Sequence, residues 1–186
     1  MRLLLVTPPM TQPNTPYPAT AYLMGCLRLH AGRLGLDLHQ ADAGLELFLR
    51  LFSREGVGRI LAELHRRAEA AGGADMPATV AHLLSHGDGY IDTIDAALRY
   101  LQGRDPALAL RIVSREWLPE GPRFAVIDET QADDEEPLAW AFGALGTTDR
   151  ARYLASLYLD DLGDAVRDGI DQRFGLSRYG EHLAAS

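Results

Sequence analysis

Five of the chain's ten prolines, Pro8, Pro9, Pro13, Pro16 and Pro18, stand directly behind the apolar run Leu3-Leu4-Leu5-Val6. Each proline fixes its own φ and turns the residue before it away from helix, so the run must end near Thr7 and the loop beyond it is held extended. An unbroken apolar run of this length suits a strand buried on both faces, as in a parallel sheet. From Ala19 the spacing changes. Ala21, Tyr22, Leu23, Cys26, Leu27 and Leu29 recur at helical intervals, and Gly32 and Gly35 supply a stop. Leu36 to Ala43 then alternates apolar and polar residues as a second short strand would. Strand, loop, helix and strand make a βαβ unit with parallel strands and a right-handed crossover.

The remainder reads as predominantly α-helical. Residues 1–43 are expected to form the βαβ unit and residues 44–186 a helical region packed on it, the whole being one compact domain. Leu45, Phe48, Leu49 and Phe52 share one face of a short helix, and a second helix runs from Arg54 to Ala71, closed by Gly72-Gly73. Asp75 is placed to cap a helix from Pro77 to His86. Gly87-Asp88-Gly89 is expected to break the chain before a helix from Tyr90 to Leu101, and Asp105-Pro106 to start another that reaches Trp117. Phe124 to Ile127 reads as a short strand. Thr148 caps a long helix from Asp149 to Arg173, and a last short one runs from Ser177 to Ala184. Two parallel strands make a poor sheet by themselves. A third is expected from residues 123–129 or from a second copy of the chain.

Charge and cysteine usage narrow the function classes. A net charge of -8 and a pI near 5.2 argue against a nucleic-acid partner, which is bound through cations that neutralise phosphates. No apolar run approaches the roughly 18 residues that a membrane span needs. The apolar stretch after Arg2 is also too short for a secretory signal, so a cytoplasmic protein without a membrane partner is expected. Cys26 is the one cysteine, which excludes an intrachain disulfide and an iron–sulfur cluster held by this chain's thiolates alone.

Residues 7–22, TPPMTQPNTPYPATAY, present hydroxyls, amides and a phenol at the carboxyl end of the first strand, where open α/β sheets place ligands. The plainer alternative is a proline-rich connection whose polar groups satisfy their own backbone. Asp37-Leu38-His39 with Asp42 approaches a DxHxxG cobalt-ligand signature. However, Asp42 replaces the glycine and the segment lies on a strand, so His39 reads as a partly exposed strand histidine. His82 and His86 share a helical face, but Leu83 stands where a zinc-protease helix needs Glu, and no metal is assigned to them. Asp161, Asp164, Asp168 and Asp171 read as a solvated face opposite Leu162, Val166 and Ile170, and Cys26 as a buried, inert thiol.

The opening, LLLVTPPMTQPNTPYPATAYLMGCLR followed by DLHQADAGLELFLRLFS, resembles the amino-terminal region of radical S-adenosylmethionine (SAM) proteins that carry a cobalamin-binding-like domain ahead of a catalytic barrel. The later FGLSRYGEHLAAS is similar to the segment that leads into the rest of that domain. The resemblance implies a Rossmann-like βαβ start, with Thr7, Gln12, Asn14, Thr15 and Tyr17 facing cofactor or substrate. It also implies a barrel whose CxxxCxxC motif holds a 4Fe-4S cluster that cleaves S-adenosylmethionine. With Cys26 alone, this chain holds no such cluster. It is therefore expected not to be catalytic by itself, with cobalamin as a conceivable ligand and the missing carboxyl-terminal barrel, or a second copy, as partner. A stand-alone helical binding or interaction module is the alternative.

Overall fold

In a computed structural model, residues 1–8, 18–72, 76–127 and 146–176 are described. Strand β1 (Arg2–Thr7) pairs in parallel with β2 (Asp37–Asp42), in a register that sets Arg2 against Asp37 and Thr7 against Asp42. Between them runs helix α1 (Pro18–Leu34), with a proline in the first turn where its missing N–H costs nothing. Gly35 ends it at φ +59°, and the Leu36 N–H donates to the Ala31 carbonyl at 2.9 Å, the six-residue closure that a left-handed residue after a helix allows. The amino terminus is tied to the same corner, its ammonium donating to the Gly35 carbonyl at 2.9 Å.

Alternation along β1 decides what this layer buries. Leu3, Leu5 and Thr7 turn towards α1, whereas Leu4 and Val6 on the other face remain 56% and 48% exposed. The run is therefore covered on one face, not both as its composition suggests, because among the described residues no element lies over the second. The expected third strand is also missing there. Residues 122–127 are helical, starting with a 3-10 turn at Pro122–Phe124, and the described sheet has two strands.

Asp42 joins the sheet to the helices directly. It ends β2, and its carboxylate accepts the Leu45 N–H at 2.9 Å, capping α2 (Ala43–Leu51). The Phe48 and Phe52 rings stack at 4.6 Å and begin the core. Ser53 caps α3 (Arg54–Ala70) by accepting the Gly56 N–H at 3.1 Å. A Cβ on Gly56 would run into the Arg50 and Leu51 carbonyls, so the α2–α3 corner requires glycine there. Helices α4 (Ala78–Ser85) and α5 (Gly87–Leu101) are separated by His86 alone. The expected break at Gly87-Asp88-Gly89 is instead the first turn of α5. These glycines serve close packing, since a Cβ would meet Leu61 at Gly87 and Pro119 at Gly89, both at 2.9 Å.

Beyond a 3-10 turn at Pro106–Leu108, α6 (Ala109–Val113) is shorter than expected. It stops well before Trp117, and the chain reverses through Arg115 at φ 60°. Helix α7 (Gly146–Gly169) is the axis of the body. Ala151, Leu154, Ala155, Tyr158, Leu159, Leu162, Ala165 and Val166 are each at most 4% exposed, and α3, α4, α5 and α6 all pack against it. The core so formed runs from Phe48 to Val166. Among the described residues before Phe48, Met24 is the one buried apolar side chain, and the βαβ layer reaches the helical body through contact of β1 with α2.

Candidate functional site

The carboxyl edge of the sheet gathers three neutral polar side chains. Thr7 ends β1, Gln40 projects from the same face of β2, and Thr20 lies in the first turn of α1 above both. The Thr7 and Thr20 hydroxyl oxygens are 3.2 Å apart and share a hydrogen bond. The Gln40 amide donates to the Thr20 oxygen at 3.0 Å. Thr7 is 1% and Thr20 8% exposed, so both hydroxyls must be satisfied internally, and each is. The cluster contains no group that titrates near neutral pH. It can orient or hydrogen-bond a neighbour but cannot act as an acid or base.

Of the residues expected to face a ligand, Thr7 is therefore placed at the edge where parallel sheets bind small molecules. Gln12, Asn14, Thr15 and Tyr17 fall within residues 9–17, outside the described residues. Thr20 lies within the stretch 7–22 read as presenting hydroxyls there, though it is not singled out, and Gln40 escapes the sequence reading. Only the two-residue period of β2, continued back from Asp42, marks Gln40 as facing the helix side.

The second polar centre lies in the helical body and corrects the expected solvated aspartate face. Asp161 is 3% exposed, and its carboxylate accepts the backbone N–H groups of Gly121 at 3.0 Å and Arg123 at 2.8 Å. Burial pushes the carboxyl up to about 6, against the pull of those two amides. Burial also raises the Asp164 carboxyl, but Arg123, donating at 2.6 and 3.1 Å, and Arg167 at 2.7 Å outweigh it and hold the group below its usual value. Asp168 accepts from the Thr79 hydroxyl at 2.8 Å, and only Asp171 is exposed as expected. Because α7 is enclosed, its polar stripe meets the 121–123 turn instead of water. The arrangement closes that turn onto α7.

The remaining candidates separate. His82 and His86 do come together, with rings stacked at 4.2 Å, and the His82 Nε2 is buried without a partner. Burial and then the neighbouring His86 lower the His82 pKa, favouring neutral imidazole. Nearby, the stacked Tyr90 and Tyr158 rings stand 4.9 Å apart, and the Thr93 and Tyr158 hydroxyls share a hydrogen bond at 3.0 Å. Burial raises both phenols, so both stay protonated at neutral pH and neither is a phenolate nucleophile. Among the described residues no group of three His, Cys, Asp or Glu side chains is arranged to hold a metal ion.

His39 sits on β2 with its Nε2 3.1 Å from the Asp37 carboxylate, exposed on the uncovered face of the sheet. It is thus occupied by its own strand and does not fit the role of a cobalt ligand offered from the loop after β1. Cys26 is exposed, not buried, because α1 turns Thr20, Met24, Leu27 and Ala31 inward and leaves Tyr22, Cys26, Leu29 and Arg33 on the opposite side. A single thiolate does not fit an iron–sulfur cluster. No described helix is long and apolar enough to cross a membrane. No protein-family model, curated protein or solved structure matches the chain.

Proposed function

We propose that this chain is the amino-terminal, cobalamin-binding-like region of a radical SAM enzyme, not catalytic alone, whose iron–sulfur barrel is supplied by other polypeptide. The observation that carries this reading is the convergence of Thr7, Thr20 and Gln40 at the carboxyl edge of a parallel βαβ layer. That is the position at which such layers hold ligands. The sequence resemblance is carried by TPP and NTPYPATAYL, the segments to which Thr7 and Thr20 belong. The uncovered Leu4 and Val6 face offers apolar surface to the missing part. Thr7, Thr20 and Gln40, bonded to one another, would stiffen one side of the ligand's seat, leaving proton and electron transfer to groups on the barrel.

Two measurements test it. Read on from Ser186, the gene should encode a CxxxCxxC motif in frame. Equilibrium dialysis of the chain against hydroxocobalamin should give saturable binding that Thr20→Val weakens. A stop codon together with no binding at high micromolar cobalamin would remove the proposal. A second reading, a helical interaction module without catalysis, draws on the core that closes between Phe48 and Val166 without the βαβ layer, and that double negative would favour it.

A further inference from the structure

Helices α4 and α5 meet at a joint one residue long, His86. The His86 backbone N–H and ring Nδ1 each stand 3.0 Å from the His82 carbonyl and close the last turn of α4. The His86 carbonyl accepts the Tyr90 N–H at 3.2 Å and opens the first turn of α5. These bonds fold the His86 ring back on the residue one turn earlier, so that it stacks on His82 at 4.2 Å with 23° between the planes. The His82 ring also meets the buried Tyr90 ring edge to face at 6.0 Å. Its Nε2 is buried and has no hydrogen-bond partner. A buried polar atom left so is uncommon in a native fold and calls for an explanation.

A proton has different consequences on the two rings. On His86 it leaves Nδ1 a donor to the His82 carbonyl, and the stack stands. On His82 it makes donors of both ring nitrogens, so Nε2 becomes a buried charged donor without an acceptor, against a second imidazole 4.2 Å away. No counter-charge relieves it. Helix α4 packs on α3, α5, α7 and the 122–124 turn. On those elements Glu63 is held by Arg66 and Arg67, Asp164 by Arg123 and Arg167, and Asp168 by Arg167 and Thr79. Asp161 is held by two backbone amides, and Tyr90 turns an uncharged phenol ring to His82. Among the described residues His86 alone acts on His82 by charge. We propose that the His82–His86 stack is a proton-operated latch, which holds α4 on α5 while His82 is neutral and opens the joint at His86 when His82 takes a proton. Burial and then His86 keep the His82 pKa below its ordinary 6.5, so the closed joint binds that proton more weakly than the open one. The latch is therefore fully closed above about pH 6.5 and loosens as the pH falls. It lies in the helical body and is independent of the ligand role of the Thr7, Thr20 and Gln40 edge.

Amide hydrogen exchange of the full chain, corrected for the intrinsic pH dependence of exchange, tests the latch. Between about pH 7.5 and about pH 5.5, protection of residues 84–90 should fall about fivefold or more while that of residues 154–166 in α7 holds. His82→Phe keeps a ring in the stack that takes no proton, and His82→Gln supplies an uncharged polar side chain; in either variant the fall should vanish. The His82 ring of the wild type, followed by nuclear magnetic resonance, should titrate below 6.5 and in step with the opening. Constant protection of residues 84–90 overturns the latch, as does an equal fall along α7, which would be unfolding of the whole body. A fall that survives in a folded variant, or a His82 ring that titrates at 6.5 or above, overturns it as well. The two wild-type measurements decide the matter even if neither variant folds. None of these outcomes alters the cobalamin test.

Discussion

The Asp161 carboxylate and the Gly121 N–H meet at 3.0 Å, and they meet because residue 121 has no side chain: a Cβ there would lie 2.6 Å from the Asp161 Cγ. Glycine is required here for space alone, since its backbone at φ -92° and ψ -167° is open to any residue. Gly121→Ala should therefore push the 121–124 turn off α7 and break both amide bonds to Asp161. We expect a loss of about 2–3 kcal/mol, read from the urea midpoint at neutral pH. A loss below half a kilocalorie would mean that the turn relaxes freely.

Asp161 also sets a pH dependence. Its carboxyl stands at about 6 in the fold against an ordinary 3.8, so the folded chain binds the proton more tightly than the unfolded one. The contribution is then fully present below about pH 4 and is lost as pH rises through 6. Comparison of the wild type with Asp161→Asn isolates it from His82, whose lowered pKa acts in the opposite sense. Between pH 4 and 7 the wild type should lose roughly 1–3 kcal/mol relative to the variant. A constant difference across that range would contradict the assignment.

Arg123 holds the same region from the other side, with its guanidinium on Asp164 and its backbone N–H on Asp161. Arg123→Met keeps the backbone bond and much of the stem packing but leaves Asp164 to Arg167. The expected cost is about 1–3 kcal/mol at neutral pH, shrinking below pH 4 as Asp164 protonates. Chemical denaturation at the two pH values checks both the size and the sign.

Cys26 gives a direct test of the orientation of α1. An exposed thiol should react completely with an aromatic disulfide reagent in the native protein, without denaturant, at one equivalent per chain. Reaction that waits for unfolding would place Cys26 on the inner face and rotate the helix.

How far the sequence foretold the structure varied with the range of the interactions involved. The first strand, helix and second strand were legible because Pro8, Pro18 and Gly35 punctuate the chain locally and the apolar periods change at those marks. The direction of α1 was not. Its inward stripe, Thr20-Met24-Leu27-Ala31, is no more apolar than the outward stripe, Tyr22-Cys26-Leu29-Arg33, so amphipathic pattern gave no reason to choose the former. Asp161 and Asp164 looked solvated for a similar reason: what covers them is Arg123 and its turn, some forty residues earlier in the chain. Gly87 and Gly89 resembled breakers because their real partners, Leu61 and Pro119, are distant in sequence. At the candidate site, the location of Thr7 was legible from its strand-end position and Thr20 lay within the 7–22 stretch, whereas Gln40 needed the register of β1 on β2.

The start of the core at Phe48 carries a kinetic consequence. Unravelling of β1, α1 and β2 would expose Met24 and the half-buried Leu3, Leu5, Leu27 and Leu38 and would leave the packing around α7 intact. The chain should therefore keep two clocks, with amides of β1 and β2 exchanging through cheap local openings while those of α7 wait for the whole body to unfold. Whatever docks on the first layer would slow the fast clock alone, making the lifetime of this small sheet a readout of its occupancy.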